Sequence, residues 1–225
     1  MKITYLGQNG LFIESKNSKI YIDPYLSDSV AKSEPKNKRR QPIEAKYLLV
    51  KPDVIVITHA HGDHYDTETL DVLLYKNEKC ILIVPPSVFV SAKKRYSQNN
   101  CVYMRNGTSY TLNGVLFTAV KAEHSDPEAI GIIVSAEEKK LYITGDTLYN
   151  ENVFASLPNG SFDAVFLPIN GYGNNMNAAD AKRFAKRVNA KTVVPVHFGM
   201  FDNLTGQEMT CENKVIPEIY KEIKV

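Results

Sequence analysis

The chain has 225 residues, 44% of them apolar and 23% charged, which excludes a disordered chain and is enough for one sizeable core. Its formal net charge of +2 does not by itself argue for a nucleic-acid or membrane partner, and no apolar run approaches the ~20 residues that cross a bilayer. Three scattered cysteines, Cys80, Cys101 and Cys211, form no Cys-x-x-Cys pair and read as inert thiols of a reducing, cytoplasmic compartment.

A single domain over 1–225 is expected, and the opening residues lack the apolar core of a signal peptide. Lys2 to Leu6, Leu11 to Glu14 and Lys19 to Ile22 read as strands of an antiparallel meander, split by Gly7-Gln8-Asn9-Gly10 and Ser15-Lys16-Asn17-Ser18. Asp23 closes the third strand, either as a turn former or as a carboxylate that orients a metal-binding histidine. From Tyr25 to Lys46 periodicity lapses into a long loop, where Lys36, Lys38, Arg39 and Arg40 accumulate. Those cations are either a solvated run or a basic flap gripping a phosphorylated substrate, with Arg39 and Arg40 as the candidate contacts.

The apolar run Asp53 to Ile57 leads into Thr58-His59-Ala60-His61-Gly62-Asp63-His64. Side chains of an extended backbone alternate, so His59 and His61 point the same way and can clasp one metal ion. Gly62 is expected to permit a sharp turn that brings Asp63 and His64 to a second position. A lone histidine is ordinarily a surface or hydrogen-bonded core residue, but packing has no use for four ligand-type groups in one turn.

Leu70, Leu73 and Leu74 then fall at helical spacing behind Asp66-Thr67. Ile81 to Val84 is an apolar strand ended by Pro85-Pro86, with a helical stretch to Tyr96. Val102 to Met104, Ser109 to Leu112 and Val115 to Val120 return to strands, with Asn106-Gly107 and Asn113-Gly114 as hairpin turns. His124 follows in a polar loop beside Glu123 and Asp126, which read as surface charge. Ile130 to Val134 and Lys140 to Thr144 form a second hairpin, ending in Gly145-Asp146-Thr147; Asp146 either bridges metals or caps a helix before Leu148.

Phe162 to Pro168 is a buried strand running into Asn170-Gly171-Tyr172-Gly173-Asn174-Asn175-Met176, where Asn174 and Asn175 are either substrate donors or plain turn residues. Asn177 caps the next helix, whose Lys182, Arg183, Lys186 and Arg187 face outward as a solvated surface. His197 follows the strand Thr192 to Val196; Phe198, Met200 and Phe201 either wall a pocket or pack in the core. Val215 to Ile223 is expected to be a short terminal helix.

His-x-His-x-Asp-His, the lone His124, Gly145-Asp146-Thr147 and His197, in that order, resemble the metal signature of the metallo-β-lactamase superfamily. Within it, Leu167 to Asn170, Asn174 to Asn177 and Val194 to Phe201 look like the branch containing L-ascorbate-6-phosphate lactonase, although this chain is shorter. The resemblance implies an α/β fold, a four-layer αββα sandwich of mixed sheets with outer helices. It implies one or two divalent ions, zinc or manganese rather than iron: His59, His61 and His124 at one, Asp63, His64 and His197 at the other, and Asp146 shared. The implied activity is metal-dependent hydrolysis by a metal-held hydroxide, with Asp63 and His64 as catalytic groups and a lactone such as a sugar-phosphate lactone as the small-molecule substrate. Assembly into a homo-oligomer fits the resemblance as well. The rivals are a phosphodiesterase or small nuclease on the same metal pair, for which no RNA-gripping arm is visible, and a non-hydrolytic metal-binding or redox protein.

Overall fold

The computed structural model describes residues 1–225. One sheet holds β1 (Lys2–Gly7), β2 (Gly10–Ser15), β3 (Ser18–Ile22), β4 (Val54–Val56), β5 (Ile81–Val84) and β6 (Asn100–Tyr103) side by side, with β13 (Glu222–Ile223) on the outer edge of β1. The other holds β7 (Ser109–Leu112), β8 (Val115–Lys121), β9 (Ile130–Ala136), β10 (Lys139–Ile143), β11 (Ala164–Pro168) and β12 (Thr192–Val196). Both sheets are mixed: β3 to β6 and β10 to β12 run parallel, and the hairpins pair antiparallel.

The period-2 alternation of the strands builds the layers. Ile20, Ile22, Val54 and Val56 join Ala164 and Phe166 of the other sheet in one core between the sheets. Their neighbours Tyr21 and Ile55 face outward and pack with α2 (Thr67–Leu74) and α3 (Pro86–Arg95), through Leu70, Leu73, Val88 and Ala92. On the far side, Tyr142 and Val165 pack with α4 (Glu151–Ser156) and α5 (Ala178–Val188), through Val153, Ala181 and Phe184. Helix, sheet, sheet, helix is therefore the order of layers, as the resemblance implies. Strands covered on both faces need no polar side, which is why β4 and β5 read as unbroken Val-Ile-Val and Ile-Leu-Ile-Val.

Capping follows the sequence. Asp66 accepts from the Glu68 amide at the start of α2, and Asn177 accepts from the Ala179 and Asp180 amides at the start of α5. The long loop after Tyr25 contains a short helix, α1 (Val30–Ser33).

The terminal helix expected over 215–223 does not form. Its start lies beside β12, the Val215 amide donating to the Val193 carbonyl at 2.9 Å, and its end runs along the edge of β1, with Ile3 opposite Ile223 and the Tyr220 amide donating to the Tyr5 carbonyl at 2.7 Å. An edge strand offers unpaired backbone groups, and Pro217 breaks helical hydrogen bonding, so pairing is the better use of this stretch. No helix is long and apolar enough to cross a membrane.

Candidate metal centre

The carboxyl ends of parallel strands are where α/β sheets leave loops free to bind ligands. Here β3 delivers Asp23, β4 the loop from Ile57 to Asp66, β10 Asp146 and β12 His197, while antiparallel β8 delivers His124. The structure brings all seven predicted ligands together in two groups: His59, His61, His124 and Asp146, and Asp63, His64 and His197. His59 and His61 share a face as expected, their rings 4.7 Å apart and 4.7 and 4.8 Å from the ring of His124.

Gly62 does not provide the turn through a left-handed backbone. The chain turns because the His61 carbonyl accepts from the amides of His64 and Tyr65, at 3.0 and 2.7 Å. Gly145 is the glycine that matters: at φ +62, a Cβ there would stand 3.0 Å from the Ile130 carbonyl oxygen and 3.1 Å from Thr58 Cβ. The bare backbone lets Asp146 approach the histidine loop. Helix capping is not the role of Asp146, since Asn150 caps α4.

Asp146 sits at the junction of the two groups. Its Oδ2 lies 4.0 Å from His59 Nε2, 4.0 Å from His124 Nε2 and 3.2 Å from His197 Nε2, and its Oδ1 lies 3.3 Å from His64 Nε2. The hydrogen bonds around the rings fix their tautomers. Asp23, wholly buried, faces His64 Nδ1 at 2.7 Å, so that nitrogen carries the proton. The Asn174 carbonyl faces His124 Nδ1 at 3.2 Å. Thr58 gives its hydroxyl proton to Asp23 at 2.6 Å and accepts from His59 Nδ1 at 3.1 Å. In each case Nε2 is the nitrogen that points inward, toward the cluster.

That leaves His59 Nε2, His64 Nε2 and Asp146 Oδ1 buried without a hydrogen-bond partner. Buried polar atoms are almost always satisfied, and imidazole nitrogens with carboxylate oxygens are the donor set of divalent zinc, manganese or iron. The residues therefore fit a metal on donor chemistry and on unmet hydrogen-bonding capacity alike.

Without a metal, the charges of the second group satisfy one another. Burial pushes His64 and His197 toward the neutral form, but the Asp146 carboxylate, with Asp63 and at His64 also Asp23, outweighs it and raises both, His197 to about 10. Burial likewise opposes the charge of Asp63 and Asp146, yet His64 and His197 hold both well below the usual carboxylate range. The raised His197 stabilises the metal-free fold fully below about pH 6.5, and that contribution is lost as pH rises through about 10. A metal must displace such protons, so metal binding should release at least one near neutral pH and tighten as pH rises. Calorimetric titrations in two buffers of different protonation enthalpy count the protons; none released would contradict the charge state described.

Of the expected substrate contacts Arg39, Arg40, Asn174 and Asn175, only Asn175 lines the pocket. Arg39 is buried, its guanidinium donating to the carbonyls of Gln41 and Tyr25 and to the Tyr220 hydroxyl. Arg40 donates to Asp202 and Asn203. No basic flap is formed: both arginines fasten the loop to neighbouring segments. Asn175 donates to Asp146 Oδ2 at 2.8 Å, and Asn174, at φ +64, gives its carbonyl to His124, so both support ligands. Asp126 is not surface charge: it is buried and accepts from the Ala60 amide at 3.0 Å and the Ser87 hydroxyl at 2.7 Å, bracing the histidine loop. Phe201 lines the pocket, whereas Phe198 and Met200 pack inside.

Two residues of the β1–β2 turn escaped the sequence reading. Gln8 Nε2 donates to Asp63 Oδ2 at 2.7 Å, and Asn9 Nδ2 donates to Asp23 Oδ2 at 3.1 Å. A Gly-Gln-Asn-Gly turn carries no signal of this in sequence.

Two face-to-face mixed sheets that gather histidines and aspartates at the ends of their strands define an α/β protein with a metal-binding centre. The chain belongs to the metallo-β-lactamase superfamily: the family described as beta-lactamase superfamily domain matches residues 2–197. It is 31% identical over 213 residues to a metal-dependent hydrolase of Bacillus thuringiensis subsp. konkukian (strain 97-27), covering 89% of this chain and 87% of that one. Its fold is shared with Igni18, a metallo hydrolase from Ignicoccus hospitalis KIN4/I, at a TM-score of 0.76 and 19% identity over 99% of this chain and 97% of that one. It is shared too with CmlA, a diiron β-hydroxylase from Streptomyces venezuelae, at a TM-score of 0.69 and 16% identity over 88% of this chain and 45% of that one.

Proposed function

We propose that this metal-dependent hydrolase opens an uncharged cyclic ester, a lactone, in the cytoplasm. The observation that carries this reading is the wall of the pocket beside the ligand cluster. The cavity, about 880 Å³, is lined by Ser29, Ser33, Asn37, Asn170 and Asn203, with Tyr172 and Phe201, and by no lysine or arginine. Hydroxyls and amides suit a neutral, hydroxyl-rich substrate. The charged side chains of the wall beyond the ligands are carboxylates such as Glu34 and Asp202, and the nearby Arg40 is engaged with Asp202 and Asn203. The same absence disfavours a nuclease, which needs cations along a phosphate backbone.

Zinc or manganese at the centre would supply Lewis acidity, polarising a carbonyl and lowering the pKa of water toward ~7. The chain's own part is proton handling and orientation. Asp63 stays ionised and lies on the pocket wall, so its carboxylate can take the proton of an attacking water and return it to the leaving ring oxygen. His64, held through Nδ1 by Asp23, keeps its other nitrogen directed at the cluster.

The test is a lactone panel run with zinc-loaded, manganese-loaded and chelator-stripped protein, including L-ascorbate 6-phosphate followed by loss of enediol absorbance. Metal-dependent opening of unphosphorylated lactones, with a lower KM than for the phosphorylated one, is expected. Turnover of phosphodiesters alone would overturn the reading, and activity only with iron would redirect it to redox chemistry.

A further inference from the structure

Most ligands at this centre have a partner that holds them in place: Asp23 for His64, the Asn174 carbonyl for His124, Thr58 for His59 and Asn175 for Asp146. Among Asp63 and His197, the two outer ligands of the second group, the partner is one residue. Gln8 is buried, 2% exposed, and adopts φ +54, a left-handed conformation that is strained for a non-glycine residue. Its amide nitrogen donates to Asp63 Oδ2 at 2.7 Å, the only hydrogen bond that carboxylate receives apart from its contacts with the imidazoles. The same nitrogen stands 3.1 Å from His197 Nε2. The peptide carbonyl of Gln8 accepts from the His197 amide at 2.7 Å, and His197 is itself left-handed at φ +57.

The strain has a geometric purpose. A left-handed Gln8 turns its carbonyl to the His197 backbone while its side chain reaches Asp63, and the Tyr5 hydroxyl donates to the same carbonyl at 2.9 Å. From these contacts we infer that Gln8 is the positioning residue that assembles the second metal position, fixing Asp63 through its side chain and His197 through its backbone. It sets whether the centre holds one metal or two. The inference rests on the two-position reading of the centre and is independent of the substrate.

Gln8→Gly isolates the side chain, because glycine accepts the left-handed backbone and keeps the carbonyl that His197 uses. Metal-stripped wild type and variant are titrated with cobalt(II) in competition with a chromogenic chelator, and melting in excess chelator confirms that the metal-free fold is intact. Wild type is expected to take up two equivalents. In Gln8→Gly the first should bind unchanged and the second about 10–100-fold more weakly, the range for losing an outer partner of a metal ligand. An unchanged second equivalent, or a wild type that binds only one, would overturn the inference. Gln8→Glu keeps the size and the packing but sets an acceptor against Asp63, so it should weaken the second equivalent at least as much. Tighter binding there would show that the position wants a ligand oxygen and not a donor, and would overturn the positioning role.

Discussion

Asp146→Ala is expected to abolish metal-dependent hydrolysis, reducing kcat/KM by well over the ~10–100-fold that follows loss of an outer partner in a metal site. One carboxylate stands within 4.0 Å of the inward nitrogens of His59, His64, His124 and His197. Removing it takes a donor from both groups at once and strips His64 and His197 of the charge that keeps them protonated. His61→Ala is the informative companion. His61 is exposed and belongs to the first group alone, so its loss should stop turnover while leaving stability within roughly 0.5 kcal/mol. Activity, bound metal by elemental analysis, and melting temperature, read together for both variants, check this. Full turnover in either would remove the proposed centre.

The contrast between ligands and supporters explains what the sequence could reveal. Coordination chemistry restricts ligands to a few residue types at ordered spacings, so all seven stand out, and the alternating strands around them predict the layers. The supporters are ordinary residues made special by proximity. Gln8 meets Asp63 across 55 positions of chain, and Asp126 meets Ala60 across 66. Nothing local distinguishes such an amide from a turn residue, or such an aspartate from surface charge. Arg39 shows the opposite error: a run of cations suggests a binding surface, but its partners, the Tyr25 carbonyl and the Tyr220 hydroxyl, come together only when the C-terminal segment joins β1. That segment misleads for a related reason, since Val215, Ile219 and Ile223 recur every fourth residue like a helix face while serving a sheet edge.

Asp23→Asn should damage the centre without touching a proposed ligand. The carboxylate accepts from the Thr58 amide on Oδ1 at 2.8 Å, and from the Thr58 hydroxyl, Asn9 and His64 Nδ1 on Oδ2 at 2.6, 3.1 and 2.7 Å. Four donors converge on it, so an amide cannot replace it. With its NH2 toward Thr58 N, one buried backbone donor loses its acceptor; with its NH2 toward His64, the ring must move its proton to Nε2, the nitrogen that faces the cluster. Either orientation leaves a buried group unpaired, at about 1–3 kcal/mol. Backbone strain is not the cause, because asparagine tolerates the φ of +43 found at this position. Metal affinity should fall about 10–100-fold, and the melting temperature of the metal-free protein should drop as well. If stability falls and affinity does not, Asp23 is a structural carboxylate that does not orient His64.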